Sequence, residues 1–185
     1  MVLASSSPRR LDLFSSLGLP FVAIDPAVDE RPPRPLSPLQ LARWAAATKA
    51  EAVSRRHPEA TVVAADTTVA LDGRAFGKPT GPAEAAETLR ALRGRTHRVY
   101  TAVAVINGPA RRRASGYSRS QVTMRKFSMQ ELEAYARSAE VRDKAGAYAI
   151  QGDGGRLVAR VDGPVDTVIG LPLHLVRRLL REVLA

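Results

Sequence analysis

The stretch Leu3-Ala4-Ser5-Ser6-Ser7-Pro8-Arg9-Arg10 decides how the chain begins to fold. Its apolar start predicts a short buried strand, which the three serines end. Pro8 suits the first position of a helix, because proline lacks an N–H that would have no partner there. Ser7 is then the expected N-cap residue. The apolar periodicity predicts a helix from Pro8 to Leu17, with Gly18 as its stop.

A serine-rich loop that leads from a strand into a helix is also typical of a phosphate site. Backbone N–H groups at a helix N-terminus attract anions, and Ser5, Ser7, Arg9 and Arg10 add hydroxyl and guanidinium donors. Two arginines in the first turn oppose the helix macrodipole, which is unfavourable without an anion between them. An ordinary capped helix with solvated arginines explains the same local pattern equally well.

The composition is that of a single globular domain. With 185 residues, 45% hydrophobic and 25% charged, the chain is expected to build one core over residues 1–185. Cysteine is absent, which excludes disulfides and thiolate catalysis, and the three histidines are far apart in sequence. No stretch has the length of a membrane-spanning helix, and the apolar start is too short for a signal peptide. A cytoplasmic protein without membrane association is expected.

The formal net charge of +10 favours anionic partners. The arginines are dispersed, however, and the aromatic residues are sparse at 5% and do not alternate with basic ones. A surface that stacks nucleic-acid bases needs such alternation. Nucleic acid is therefore disfavoured as the partner.

Predicted helices and strands follow one another along the whole chain. Ser37-Pro38-Leu39-Gln40 forms a capping box that opens a helix to about Arg56. The run Thr61–Leu71 is β-branched and apolar on both faces, as a central strand is. A second capping box, Ser128-Met129-Gln130-Glu131, opens another predicted helix. Further predicted elements are an antiparallel pair of strands over residues 96–106 and 115–127, a helix beginning at Pro82, and a C-terminal amphipathic helix from Leu173.

Two charged residues stand where apolar ones are expected. Asp66 lies inside the predicted central strand, where an ionised carboxylate is costly unless it is paired or bound to metal. Lys49 lies near the edge of the apolar stripe of its helix, a position that would aim its ammonium into a cleft. The small, glycine-punctuated run from Asp143 to Gly152 resembles a buried wall against a ligand, at which Gln151 offers both a donor and an acceptor.

Together these residues supply what hydrolysis of a nucleoside triphosphate needs. Glu30 and Asp66 are carboxylates that hold a divalent ion, and an aspartate activates water. Lys49 and Lys78 neutralise phosphate charge. The chain has neither a P-loop motif nor a dinucleotide-binding glycine fingerprint.

Short motifs follow one another along the whole chain: Ser5-Ser6-Ser7-Pro8-Arg9-Arg10, Val28-Asp29-Glu30, Ala65-Asp66-Thr67, Gly77-Lys78-Pro79, Gly94-Arg95-Thr96-His97, Asp143-Lys144-Ala145-Gly146 and Ile169-Gly170-Leu171-Pro172. In content, order and spacing they resemble the Maf family of nucleoside triphosphate pyrophosphatases. The resemblance implies an α/β fold, a single mixed twisted sheet flanked by helices, with two lobes around a central cleft, as in the related inosine-triphosphate pyrophosphatases. It further implies a homodimer, Mg²⁺ or Mn²⁺, and hydrolysis of a nucleoside triphosphate to the monophosphate and pyrophosphate.

The resemblance also implies roles for individual residues. Asp66 would be the general base or would orient the attacking water, with Glu30 as its metal-binding partner. Lys49 and Lys78 would offset charge on the phosphoryl oxygens. The phosphates would lie against Ser5, Ser7, Arg9 and Arg10.

Three positions resemble the branch of the family that prefers dTTP and UTP, namely Arg9, Thr67 and Gln151. The Gln151 amide suits the O4 and N3–H edge that thymine, uracil and modified pyrimidines share. One departure is Ala102, where the family pattern has glycine, and its methyl group is expected to narrow a backbone approach near the site.

Two other interpretations stay open. One is the same chemistry with 7-methyl-GTP as the substrate. The other is a non-catalytic basic protein that binds nucleotides or nucleic acid and is linked to cell division, which the net charge favours.

Overall fold

One mixed sheet runs through the protein, whose computed structural model describes residues 1–185. The strands are β1 (Val2–Ala4), β2 (Val22–Ile24), β3 (Thr61–Leu71), β4 (Arg74–Phe76), β5 (Thr96–Asn107), β6 (Arg112–Met124) and β7 (Val158–Asp162). The helices are α1 (Pro8–Ser15), α2 (Pro38–Arg56), α3 (Pro82–Leu92), α4 (Met129–Ala136), α5 (Val165–Ile169) and α6 (Leu173–Leu184). Short 3-10 turns lie at Ala139–Val141, Ala145–Ala147 and Asp153–Leu157.

The strands lie in the order β2-β1-β3-β5-β6-β7, with β4 beside β3. β1 is parallel to both of its neighbours, and all other pairs are antiparallel. The predicted mixed sheet flanked by helices is therefore confirmed.

The outer edge of β3 is covered by two different strands with a gap between them. On its inner edge β3 pairs with β5 over residues 61–70. On its outer edge β1 covers only residues 62–63, and β4 covers residues 69–71. No strand pairs with the outer edge at residues 64–68, and the loop that follows β1 lies against this gap.

The gap separates two lobes. In the first lobe, α1 and α6 pack on one face of the sheet and α2 packs on the other. Alanines line the α2 contact from both sides, so that this helix lies close to the strands. In the second lobe, α3 and α4 cover the far ends of β3, β5 and β6 on the α6 side of the sheet.

The capping boxes predicted from sequence are present at both helix starts. The Ser37 hydroxyl accepts from the Gln40 N–H and the Ser128 hydroxyl accepts from the Glu131 N–H, with the reciprocal bonds also formed. α1 is shorter than predicted, because it ends at Ser15, where a turn takes over. α5 was not predicted, since five residues carry no readable periodicity. None of the six helices combines the length and the apolar content needed to cross a membrane.

Candidate active site

A cleft of about 630 Å³ opens at the gap in β3. A cavity of this size is within the range of small-molecule sites. All of the site residues predicted from sequence line it: Ser5, Ser7, Arg9, Arg10, Glu30, Lys49, Asp66, Thr67, Lys78 and Gln151.

An ion-paired cluster lies at the centre of the cleft. Lys49 Nζ is 2.6 Å from Asp66 Oδ1 and 2.9 Å from Glu30 Oε1. Lys49 is buried in the contact between α2 and β3, whereas Glu30 is about half exposed, with 47% of its side chain accessible. Alternation along β3 turns Asp66 toward α2, so the lysine meets it across the shortest path between helix and sheet.

The cluster keeps Glu30 ionised. Burial by itself would raise the pKa of Glu30, but the hydrogen bond and charge of Lys49 outweigh it, and Lys78 and Arg10 act in the same direction. The net result is a pKa below the usual range of a glutamate. The site therefore offers two carboxylates beside a shared ammonium.

The serine-rich loop lines the cleft with the hydroxyl of Ser7, which makes no hydrogen bond within the chain. Ser7 occupies the N-cap position of α1 as predicted, but its side chain makes no capping hydrogen bond. The Ser7 N–H instead donates to Ser5 Oγ at 3.2 Å. Burial, together with the neighbouring charge of Arg10, lowers the pKa of Arg9, although the carboxylates of Asp143 and Glu140, which also line the cleft, act in the opposite direction. The cleft therefore brings carboxylates of a distant segment near Arg9.

Two donor groups of Arg10 are hydrogen-bonded to residues at the floor of the cleft. Its Nε donates to the Gly170 carbonyl at 2.9 Å and its Nη2 donates to Thr67 Oγ1 at 3.2 Å. Thr67 lies 2.9 Å from Thr101 Oγ1, which donates to the Thr167 carbonyl at 2.6 Å. Because a threonine hydroxyl has one proton, Thr67 is the donor to Thr101. Toward a ligand, Thr67 can therefore act only as an acceptor.

The second lobe contributes Lys78 and Gln151. Lys78 is exposed on the segment after β4, close enough for its charge to lower the pKa of Glu30. Gln151 is exposed at the end of a buried wall formed by residues 146–149, which agrees with the predicted wall. Ala102 does not narrow the cleft as expected, since it lies opposite Asp66 on β5 with its methyl group in the α2 core.

The donor set fits a divalent cation only together with a ligand. Asp66 Oδ2 and Glu30 Oε2 make no hydrogen bond within the chain, so each carboxylate retains a free oxygen. Oxygen ligands of this kind suit Mg²⁺ and Mn²⁺. No group of three or more histidine, cysteine, aspartate or glutamate side chains is placed to hold a metal. Phosphate oxygens and water would have to complete the coordination.

A family model described as Maf-like protein matches residues 1–183. The chain belongs to this family. The resemblance seen in the sequence motifs is thereby confirmed.

Two similar relatives of this Maf-like chain carry the same name. A Moorella thermoacetica protein named dTTP/UTP pyrophosphatase is 46% identical over 180 residues, which cover 97% of this chain and 93% of that protein. A Deinococcus radiodurans protein of the same name is 46% identical over 181 residues, covering 98% and 91%. Among solved structures, the Staphylococcus aureus Ham1 protein matches with a TM-score of 0.52 and 17% identity, covering 99% of this chain and 94% of that chain. At this identity the likeness shows the fold alone, and it confirms the expected fold class.

Several residues of this Maf-like site were missed by sequence reasoning. Glu140 and Asp143 line the cleft and act on the pKa of Arg9, and the Asp25–Val28 loop lines the cleft beside Glu30. Arg56 of α2 holds that loop by donating to the carbonyls of Asp25 and Pro26. Asp143 was part of a recognised motif, but nothing in the sequence indicates which charge it faces.

The central cluster predicts a non-additive loss of stability. Lys49→Met should lower the free energy of unfolding at pH 7 by about 2 kcal/mol, below the roughly 3–5 kcal/mol of fully buried pairs, because both carboxylates reach the water of the cleft. Adding Asp66→Asn should recover part of this loss, since it removes a charge that has lost its partner. Urea denaturation of the single and double variants measures the difference. If the losses of unfolding free energy in the two single variants simply added in the double variant, the interaction between Lys49 and Asp66 would be contradicted.

A second prediction concerns acid. Burial lowers the pKa of His97 to about 4 from its usual 6.5, so between these values the unfolded chain binds a proton that the folded chain does not. The stability that the neutral His97 provides is present above pH 6.5 and is lost as the pH falls toward 4, by about 3 kcal/mol in all. His97→Gln should flatten this part of the pH profile of the unfolding free energy. His174→Gln, on the exposed side of α6, is the matched control and should leave the wild-type slope.

Proposed function

We propose that this protein is a nucleoside triphosphate pyrophosphatase that hydrolyses dTTP and UTP, and modified pyrimidine triphosphates with the same base edge, to the monophosphate and pyrophosphate. The observation that carries the proposal is the cluster of Asp66, Lys49 and Glu30, which opens into a cleft beside a helix N-terminus rich in hydroxyls and guanidinium groups. The names of the full-length relatives support the same reaction.

The proposed mechanism starts from the free oxygen of Asp66. Asp66 Oδ2 accepts a proton from water, while Lys49 holds Oδ1 and fixes the orientation of the carboxylate. Water attacks the α-phosphorus, and the bond between this phosphorus and the oxygen that bridges the α and β phosphates breaks. Pyrophosphate leaves with the electron pair of that bond and therefore gains negative charge. The ammonium groups of Lys49 and Lys78 stabilise this charge, and Ser5, Ser7 and Arg9 hold the phosphates.

Glu30 and Asp66 are the proposed holders of a divalent cation, Mg²⁺ or Mn²⁺. When bound, such an ion would act as a Lewis acid that neutralises phosphate charge. Its proposed ligands from the chain are the carboxylate groups of Glu30 and Asp66.

The proposed enzyme is a cytoplasmic homodimer of single-domain chains, each comprising residues 1–185, and it acts on free nucleotides rather than on nucleic acid. The continuous sheet supports a single domain. The resemblance to the family supports the dimer. The scarcity of aromatic residues supports the choice of free nucleotides.

The reaction and the role of Asp66 are tested together by one assay. Purified protein with Mg²⁺ or Mn²⁺ should release pyrophosphate and monophosphate from dTTP and UTP, and less from CTP, GTP and 7-methyl-GTP. Asp66→Asn should lower kcat/KM by about a thousandfold, whereas Asp72→Asn, a carboxylate at the β3–β4 turn outside the cleft, should not. Turnover of 7-methyl-GTP alone would contradict the proposed substrate, and no turnover of any nucleotide would favour the binding-protein alternative.

Base selectivity is predicted to depend on Gln151. Its amide can donate to O4 and accept from N3–H of thymine or uracil, whereas a glutamate carboxylate only accepts and would repel O4. Gln151→Glu should therefore lower kcat/KM for dTTP about tenfold or more while changing that for dCTP less. Gln130→Glu, an exposed glutamine of α4, is the control. Equal effects on both nucleotides would argue against base reading by Gln151.

A further inference from the structure

A buried histidine–tyrosine pair lies behind the cleft wall that carries Gln151. His97 Nε2 of β5 is 2.8 Å from Tyr148 Oη, and the two rings meet edge to face at 5.4 Å between centroids. His97 is 1% exposed and Tyr148 is 5% exposed. Neither residue has a part in the proposed chemistry, yet Tyr148 lies in the wall itself.

The wall begins with a bend that the local sequence does not favour. Gly146 and Ala147 both have positive φ, 74° and 57°, and the second of these is not a glycine. A residue with a Cβ in this region costs roughly 1 kcal/mol, so the surrounding structure must hold it there. On the N-terminal side the Gly146 N–H donates to the Gly77 carbonyl at 3.1 Å, next to Lys78. On the C-terminal side the next residue is Tyr148, bound to His97.

The far end of the wall is held by acceptor groups of two residues that precede it in the chain, Tyr135 and Glu140. Tyr135 Oη accepts from the Ala149 N–H at 3.1 Å, and Glu140 Oε2 accepts from the Gly154 N–H at 3.0 Å. Gln151 lies between these two points. Its backbone is therefore placed by contacts on both sides. Among the hydrogen bonds of the wall, the His97–Tyr148 bond is the one that reaches the central sheet.

If its only role were to fill space, the His97–Tyr148 pair would be less stable than two apolar side chains. His97 Nδ1 is buried and has no hydrogen-bond partner, and an unpaired buried polar group costs about 1–3 kcal/mol. Two apolar side chains would fill the same space without that cost. A buried hydrogen bond is, however, directional, so it restricts the relative placement of the two elements that it joins more narrowly than non-directional apolar contact does.

We propose that His97 and Tyr148 are a positioning pair, which fixes the wall so that Gln151 reaches the nucleobase. This inference rests on the proposed function. Neither residue touches the reacting atoms, so the pair should govern which base is bound rather than the rate of bond breaking.

The test compares variants that remove or retain the bond. Tyr148→Phe and His97→Leu should each raise KM for dTTP about tenfold and lower the preference for dTTP over dCTP by a similar factor, with kcat changed less than about threefold. The double variant should be no worse than either single variant. His97→Gln places an amide where Nε2 stood and should retain the wild-type preference.

Hydrogen exchange provides a readout that does not depend on turnover. Amides of residues 146–151 should exchange about tenfold faster in Tyr148→Phe than in the wild type, while those of α6 should not. The control is Asn107→Ala, which removes another buried hydrogen bond of β5, the one from Asn107 Nδ2 to the Val183 carbonyl. This variant should lose stability without changing KM, base preference or exchange in the wall.

The outcomes separate the inference from the proposed function. No turnover by the wild type would overturn the proposed function, and unchanged wall exchange in Tyr148→Phe would overturn the positioning pair in either case. Wild-type turnover with an unchanged base preference in both Tyr148→Phe and His97→Leu would overturn the pair alone. A loss of kcat equal to the loss in kcat/KM would assign the pair to the chemical step and overturn the positioning role.

Discussion

The interrupted pairing of β3 is the constraint on which the site depends. A strand covered along its whole outer edge would leave no room for a ligand beside its centre, and a strand without β1 and β4 would lack the neighbours that build the two lobes. The gap at residues 64–68 satisfies both needs. Because side chains alternate along a strand, the gap exposes Asp66 toward α2 and Thr67 toward α1. The cleft therefore receives cationic side chains from both faces of one sheet, Lys49 from α2 and Arg10 from α1.

The charges in the cleft are arranged locally rather than in bulk. Arg9, Arg10, Lys49, Lys78 and Lys144 line it, but so do Asp25, Glu30, Asp66, Glu140 and Asp143, so the formal charges balance. The positive excess of the chain lies elsewhere on its surface. Recognition of a polyanion in the cleft then depends on which charged side chains point at it. The balanced charge of the cleft does not support the alternative of a general basic binding surface. A buried ion pair such as Lys49 with Asp66 contributes little to stability compared with apolar packing, which agrees with a role in the chemistry.

The sequence predicted those features whose causes are local. The bounds of β3 follow from a continuous run of β-branched and small residues, and two capping boxes mark the starts of α2 and α4. Asp66 and Lys49 were recognised as misplaced charges, but their mutual contact depends on how closely α2 packs on β3. The bond from Arg10 to Thr67 and the positive φ of Ala147 likewise depend on tertiary packing and were not predictable. Each is imposed by residues far away in the chain, and no local pattern records it.

The continuity of the strands has a consequence for motion. The chain passes between the lobes inside β3, β5 and β6, and once more through the segment that contains α5. Three unbroken, mutually hydrogen-bonded strands cannot act as a loop hinge. A movement of one lobe against the other therefore requires the sheet itself to coil more or less tightly, an elastic deformation shared over many residues. The twist of the whole sheet, rather than a local hinge, then sets how far apart the two lobes hold Lys78 and the loop before α1.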